Sequence, residues 1–518
     1  MQANWYRAAL VPVVLGLAGA TAATVHAAQA PAAMTFAPVI DLGSSGGEPS
    51  IQDDGHGFVY ITSPAGIPAG LNQTTGVELW RSVNGGVSFS QLPNVGSQIG
   101  GGDSDVTADH NSNVYTADLE AAAADVQFSS DHATTFTTPG TQTGPDDDRE
   151  WLTPVGDVLY LTYHDFVNNV PLIYKSTDHG TTFTPAGAAG AILTPTNNAT
   201  AFQDSQQGTL VSKPVADAKG NIFVLINTST AAQNAQNPGS TGPLDRLYLA
   251  ESTDGGSTFT VTLVNDVSNG GTGSGSWGKV FNQLAIDNGG NLYIAAAGNL
   301  KSSDPVRIFL IRGHNNGGTY TWDAPLPLTS GFSQVFPAIA VGQAGQVAVG
   351  YYGTTAATGC NSACQLDYRN SSNKFQFYIA ETLDALDAAP AFTTNQVTTT
   401  SPHPGGICTD GILCGTPQSA GGNRNLADFE SMTVDPNGSV ELVIPADQDG
   451  VHTHNLFYKQ TGGSPIVPGP TNGNGTGNQT FVATPASGVP EIAFAPALII
   501  AGVGAGLFVV RRRNRALS

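Results

Sequence analysis

The string YKSTDHGTTF, residues 174–183, returns as YLAESTDGGSTF at residues 248–259. The shared core is Ser-x-Asp-x-Gly-x-Thr-Phe: Ser176, Asp178, Gly180, Thr182 and Phe183, then Ser252, Asp254, Gly256, Thr258 and Phe259. Looser copies begin at Ser82 (with Asn84, Gly86, Ser88 and Phe89), at Ser129 (Asp131, Ala133, Thr135 and Phe136) and at Gly313 (Asn315, Gly317, Thr319 and Tyr320). Such a string predicts a hairpin turn. The Asp or Asn side chain accepts backbone N–H bonds inside the turn, and glycine supplies the positive φ that the turn demands. The aromatic residue opens the returning strand and anchors it in a core.

A second repeat runs out of phase with the first: a short apolar strand, a turn of the form Asp-x-x-Gly, then a strand rich in aromatic and β-branched residues. Seven copies are legible, among them SIQDDGHGFVYI from Ser50, PVADAKGNIFVLI from Pro214 and MTVDPNGSVELVI from Met432. Each reads as a hairpin of inner strands. A third strand precedes the box position at 78–81, 172–175, 246–250, 307–311, 375–380 and 455–459, and a fourth follows the aromatic. Four strands per unit at this period predict an all-β, seven-bladed β-propeller over residues 34–460, with six blades as the alternative count. The last unit lacks a Thr-Phe strand after residue 460, whereas Thr35-Phe36 stands near the start of the chain. The N-terminal strand is therefore expected to complete the last blade and remove an exposed edge. The first repeat resembles the Asp-box (bacterial neuraminidase) repeat of sialidase-like β-propellers. The resemblance speaks to architecture, because the box is a turn.

The two ends carry addressing signals. Residues 1–27 read as a secretory signal, with Arg7 ahead of an apolar stretch and Val25-His26-Ala27 as the cleavage site. Residues 461–488, rich in Gly, Pro, Asn and Thr, read as a linker. An apolar run at 492–510, inside a 489–510 segment, precedes a basic tail at 511–518 and reads as a transmembrane anchor or a processed sorting signal. The protein is thus expected at the cell surface, held by its C-terminus in the membrane. Formal net charge is -21, which argues against nucleic acid as a partner. Export makes disulfides the default for Cys360, Cys364, Cys408 and Cys414, with the connectivity open.

Chemistry is expected where the innermost strands begin, at one mouth of the central channel. The Asp-x-x-Gly register collects Glu48, Asp103, Asp105, Asp148, Arg149, Glu150, Lys213, Gln283 and Glu430 there. Charged groups facing a shared cavity are costly unless paired or bound. Candidate ligand-binding residues are Glu48, Asp103, Asp148, Arg149, Glu150 and Glu430, with Arg149 gripping an anionic or hydroxyl-rich ligand by a bidentate contact. On this reading Arg149→Ala removes binding and leaves stability nearly unchanged. Trp151 reads as a core residue, with sugar stacking as the alternative. Asp146, Asp147 and Asp148 are oxygen donors of the kind calcium takes, but no EF-hand spacing surrounds them; no cofactor is otherwise called for.

The sialidase resemblance implies a Tyr nucleophile assisted by a carboxylate and an arginine triad. The family's Arg-Ile-Pro motif is absent. Arg149, Arg246 and Arg424 are available for a triad, and Tyr163, Tyr351 and Tyr352 for the nucleophile, without matching a family motif residue by residue. The leading expectation is therefore an exported propeller recognising an extracellular glycan or glycoprotein. An exo-acting glycoside hydrolase is the alternative, and a structural cell-envelope protein the further one.

Overall fold

In both full boxes the aspartate organises the turn. Asp178 Oδ1 accepts hydrogen bonds from Ser176 Oγ (2.7 Å) and the Thr182 N–H (2.8 Å), and Oδ2 accepts from Thr182 Oγ1 (2.7 Å). Asp254 repeats this with Ser252 Oγ (2.9 Å), the Thr258 N–H (2.9 Å) and Thr258 Oγ1 (2.7 Å). Gly180 and Gly256 take φ of 77° and 81°, left-handed values that a side chain would strain. Asp178→Ala or Asp254→Ala is expected to lower stability by about 1–2 kcal/mol through the lost turn bonds. The measurement is the urea midpoint at unchanged slope; an unmoved midpoint would show that the turn does not depend on its carboxylate. One further copy escapes the sequence pattern. Thr382 Oγ1 donates to Asp384 Oδ1 (2.6 Å) in the same way, but neither the glycine nor the aromatic follows at box spacing.

The computed structural model describes residues 29–44, 46–65, 76–96, 102–120, 123–137, 147–231, 244–269, 273–329, 333–354, 364–411, 414 and 421–467. Their strands form seven antiparallel sheets, the blades of a propeller. The first blade holds Ser50–Asp53, Val59–Ser63, Val77–Ser82 and Ser90–Val95. The second holds Ser104–Ala108, Val114–Glu120 and Ala123–Ser129. The third holds Asp147–Val155, Val158–Asp165, Val170–Ser176 and Thr184–Pro185. The inner strands of the next three include Val215–Ala216, Gln283–Ile286 and Gln334–Val341. The seventh blade is built from Ser431–Val434, Val440–Ala446 and His454–Gly462.

The ring closes as the sequence predicts. Thr35–Phe36 and Ile40–Ser44 both pair antiparallel with His454–Gly462, with Thr35 opposite Gly462 and Ile40 opposite Phe457. The innermost strands follow one another around the ring, the third blade reaching the fourth through Thr153 Oγ1, which donates to the Pro214 carbonyl (2.8 Å), and the first touching the seventh. The core lies between blades: Ile51, Val59 and Trp80 of the first pack with Val443 and Phe457 of the seventh. Alternation drives this, since each strand sends successive side chains to opposite faces and both faces are covered by neighbours.

The last strand runs two residues past 460, and Ile466 is buried, its N–H donating to the Gly438 carbonyl (2.9 Å) at the turn between the first two strands of the seventh blade. The expected leader at 1–27, the apolar run at 492–510 and Cys360 lie outside the described residues. Among the described residues no helix is long and apolar enough to cross a membrane. Cys408 and Cys414 form a disulfide, so of the connectivities left open by the sequence the local one holds for this pair.

Candidate functional site

Each inner strand has a residue joined, through its partner on the second strand, to the first residue of the box. These are Asp53, Ala108, Pro154 and Ala216 in the first four blades, then Ile286, Val341 and Val434. Five residues earlier the seven blades present Glu48, Asp103, Arg149, Val211, Phe281, Phe336 and Phe429. These positions are charged in the first three blades and apolar in the other four. Glu48, Arg149 and Phe336 hold positive φ at this shared position, 45°, 62° and 56°. The register slips beside two of them, between Asp148 and Trp151 and between Val335 and Ala338. Bulges of this kind re-aim a side chain, and non-glycine residues at positive φ cost of order 1–2 kcal/mol.

Arg149 fills the channel. Its guanidinium carbon lies 3.9 Å from the Phe429 ring centre and 4.2 Å from that of Trp151, with Phe281 at 5.8 Å. Only 1% of the residue is exposed. Nη1 reaches Glu48 Oε2 (3.3 Å) and Asp103 Oδ1 (3.4 Å), while Nε and Nη2 find no hydrogen-bond partner among the described residues. Beneath it a cavity bounded by Trp151, Lys213, Gln283, Phe429 and Glu430 offers about 20 Å³ to water centres, room for one water. Lys213 is paired there with Asp105 (2.8 Å). The channel is therefore closed below the mouth.

Above it the charges continue outward. Arg424 Nη2 contacts Glu48 Oε1 (3.2 Å) and Asp428, and Nε reaches Asp428 Oδ1 (3.4 Å). Two guanidiniums thus share Glu48, with Asp103 and Asp428 alongside. The Arg424 side chain is 29% exposed, and its Nη1 makes no hydrogen bond among the described residues. Asn425 ties this segment down: its Nδ2 donates to Asp447 Oδ2 (2.7 Å) and to the Gly450 carbonyl (3.1 Å).

Burial sets the electrostatics. It pushes the Glu48 carboxyl well above the usual range, helped by Asp103 and Asp428 and opposed by Arg424 and Arg149. Burial also raises Asp103, but Arg149, the hydrogen bond with Glu48 and Arg424 outweigh it, and the net shift is downward. Arg149 is pulled down by burial and up, more strongly, by Asp103, Glu48 and Glu150. Glu150 and Glu430 lie one residue beyond the ring position, on the alternate face. Burial pushes both well above the usual range, and neither hydrogen-bonds to another described residue.

Of the residues expected at the mouth, Glu48, Asp103 and Arg149 come together. Asp148, half-exposed, turns instead to His164 Nδ1 (3.6 Å), while Glu150 and Glu430 are buried, Glu150 within the field of Asp103, Arg149 and Asp147 and Glu430 on the wall of the small cavity. Trp151 is core, its Nε1 donating to the Val211 carbonyl (3.2 Å). Arg424 and Asp428 were not singled out as ligand-binding residues, although Asn425-Leu426-Ala427-Asp428-Phe429-Glu430 leads into the seventh unit as Asp147-Asp148-Arg149-Glu150 leads into the third. Arg246 belongs elsewhere, bridging Asp204 (2.7 Å) and Asp266 (2.9 Å). So do the tyrosines: Tyr163 stacks on Tyr174, Tyr351 on Tyr378, and Tyr352 donates to the Pro445 carbonyl.

No family model matches the sequence, and no curated protein matches it. Solved structures share the fold distantly. A fungal alcohol oxidase of the AA5 family, in complex with copper, is 9% identical over 85% of this chain and 79% of that one, with a TM-score of 0.49. The GH93 α-L-arabinofuranosidase of Fusarium graminearum with arabinobiose is 11% identical over 83% and 97%, at 0.38. A Hadza microbial sialidase is 16% identical over 48% and 49%, at 0.33. These likenesses have no bearing on what this chain binds.

Proposed function

We propose that this chain is an exported, membrane-tethered recognition propeller that binds a neutral, hydroxyl-rich glycan at the channel mouth. The observation that supports this best is Arg424: a guanidinium fixed by Glu48 and Asp428, partly open to solvent, with Nη1 uncommitted among the described residues. Below it Arg149 closes the channel, so a ligand rests on the mouth and does not thread through. The charge balance selects the ligand class. Both guanidiniums already face carboxylates, Arg149 those of Glu48 and Asp103 and Arg424 those of Glu48 and Asp428, so no unpaired cation waits for an anionic sugar. Paired carboxylates and guanidiniums instead offer fixed acceptors and donors to hydroxyls. The leader and the apolar run of the sequence support export and tethering, and the Cys408–Cys414 disulfide supports export.

The test is a glycan panel presented to the full chain, with neutral and sialylated oligosaccharides side by side. Retention of neutral members is the expected result. Retention of sialylated members alone would replace this reading with the sialidase-like one.

A further inference from the structure

We propose that Phe166, on the rim above the mouth, is an outer subsite that stacks against a sugar ring of the bound oligosaccharide. This rests on the glycan reading above. The third and seventh blades each raise a rim turn of the same build. In the third, Asp165 Oδ1 accepts the N–H groups of Val167 (3.1 Å) and Asn168 (2.8 Å), and Oδ2 accepts Asn168 Nδ2 (2.8 Å). In the seventh, Asp449 Oδ1 accepts the N–H groups of Val451 (2.9 Å) and His452 (2.7 Å), and Oδ2 meets His452 Nδ1 (2.7 Å). Side-chain-to-backbone bonds of this kind fix a turn without help from a core.

These fixed turns display apolar side chains beside polar ones such as Asn168 and His452. Phe166 is 46% exposed, Val167 58% and Val451 59%. Among the exposed large apolar side chains of the described residues, Phe166 is the only aromatic. Its place is set by register: Asp147 lies opposite Asp165 and Asp148 opposite His164, so Phe166 begins the turn directly beyond the mouth end of the inner strand. It stands about 7 Å along the strand from the level of Asp148, and one strand spacing, about 5 Å, farther from the axis. The two rim turns flank the first and second blades, which supply Glu48 and Asp103. A ligand resting on the charged cluster therefore has Phe166 and Val167 on one side and Val451 and His452 on the other.

The chemistry of a sugar fits that division. Its hydroxyl edge takes the carboxylates and Arg424, and its C–H face takes a flat ring whose π-face is negative. A fixed turn loses little freedom on binding, so the contact is efficient. Phe166, two residues beyond the level of Asp148 and one strand farther from the axis, would then act only on ligands of two or more rings.

The experiment compares full-length wild type, Phe166→Ala, Phe166→Tyr and Arg424→Ala on immobilised neutral oligosaccharides of two to six rings and on the matching monosaccharides. Phe166→Ala is expected to weaken oligosaccharide retention about tenfold, as loss of one aromatic contact would. Phe166→Tyr should restore it, monosaccharide retention should not change, and Arg424→Ala should lose both. Melting temperatures checked alongside show that the exposed turn has not altered folding. Wild-type retention by Phe166→Ala, with loss in Arg424→Ala, overturns the subsite and leaves the mouth reading standing. Retention by Arg424→Ala, or none by wild type, overturns the mouth reading and the subsite with it.

Discussion

Arg149→Ala is expected to destabilise the propeller by about 3–5 kcal/mol, the cost of removing one partner from a buried ion pair. The substitution leaves Glu48 and Asp103 facing each other without their shared cation and opens a void between Trp151 and Phe429. Arg149→Lys should fall between, because an ammonium keeps the charge but not the flat face between two rings. Denaturant unfolding at neutral pH is the measurement. A loss below about 1 kcal/mol would show that the guanidinium is effectively solvated, as surface pairs are. The sequence alone expects the same substitution to spare stability; the 1% exposure of Arg149 reverses that. Arg149 is therefore a poor probe of binding, and the partly open Arg424 a good one.

Stability should also fall as pH rises from about 4.5 to 8, and Glu381 should account for a large share. Its carboxyl is fully buried in the third strand of the sixth blade, with no hydrogen-bond partner among the described residues, and burial pushes it up to about 8. The unfolded chain releases that proton near pH 4.3, whereas the folded chain keeps it until about 8. Between those values the folded state binds the extra proton, so each pH unit removes about 1.4 kcal/mol, of order 3–5 kcal/mol across the window. Glu441, also raised to about 8 by burial despite Lys459 at 2.7 Å, acts in the same direction. Glu381→Gln should be the more stable protein at pH 8 and should show a visibly flatter profile. Parallel profiles for wild type and Glu381→Gln would mean that the carboxyl ionises in the folded state at its ordinary pKa.

The fold was legible because its determinants are local. The Ser-x-Asp-x-Gly-x-Thr-Phe turn at Ser176 and the Asp217–Gly220 turn carry their own hydrogen bonds, and the box period spaces the blades. Closure was legible from Thr35-Phe36 as the strand missing after Gln460. The candidate site was legible as a set of neighbouring residues, Glu48, Asp103 and Arg149, but not as a set of contacts. Register placed Glu48, Asp103 and Arg149 at one position, yet it could not show that Glu150 and Glu430, one residue farther along, are buried without hydrogen-bond partners among the described residues and do not join the Glu48 cluster. Nor could it show that Phe281 and Phe429 close around Arg149, because aromatics in a β-rich sequence read as ordinary core. Arg424 was considered only for a triad, since its approach to Glu48 spans most of the chain and depends on ring closure.

The claim that ligands are held at the mouth is tested most directly by titrating Arg424→Ala and wild type with one neutral oligosaccharide retained by the wild type. About a hundredfold weaker binding is expected for the variant, the scale of losing a charge-assisted contact of about 2–3 kcal/mol, with the unfolding midpoint shifted far less than by Arg149→Ala. Equal dissociation constants for the two proteins would contradict it and move the site away from the mouth.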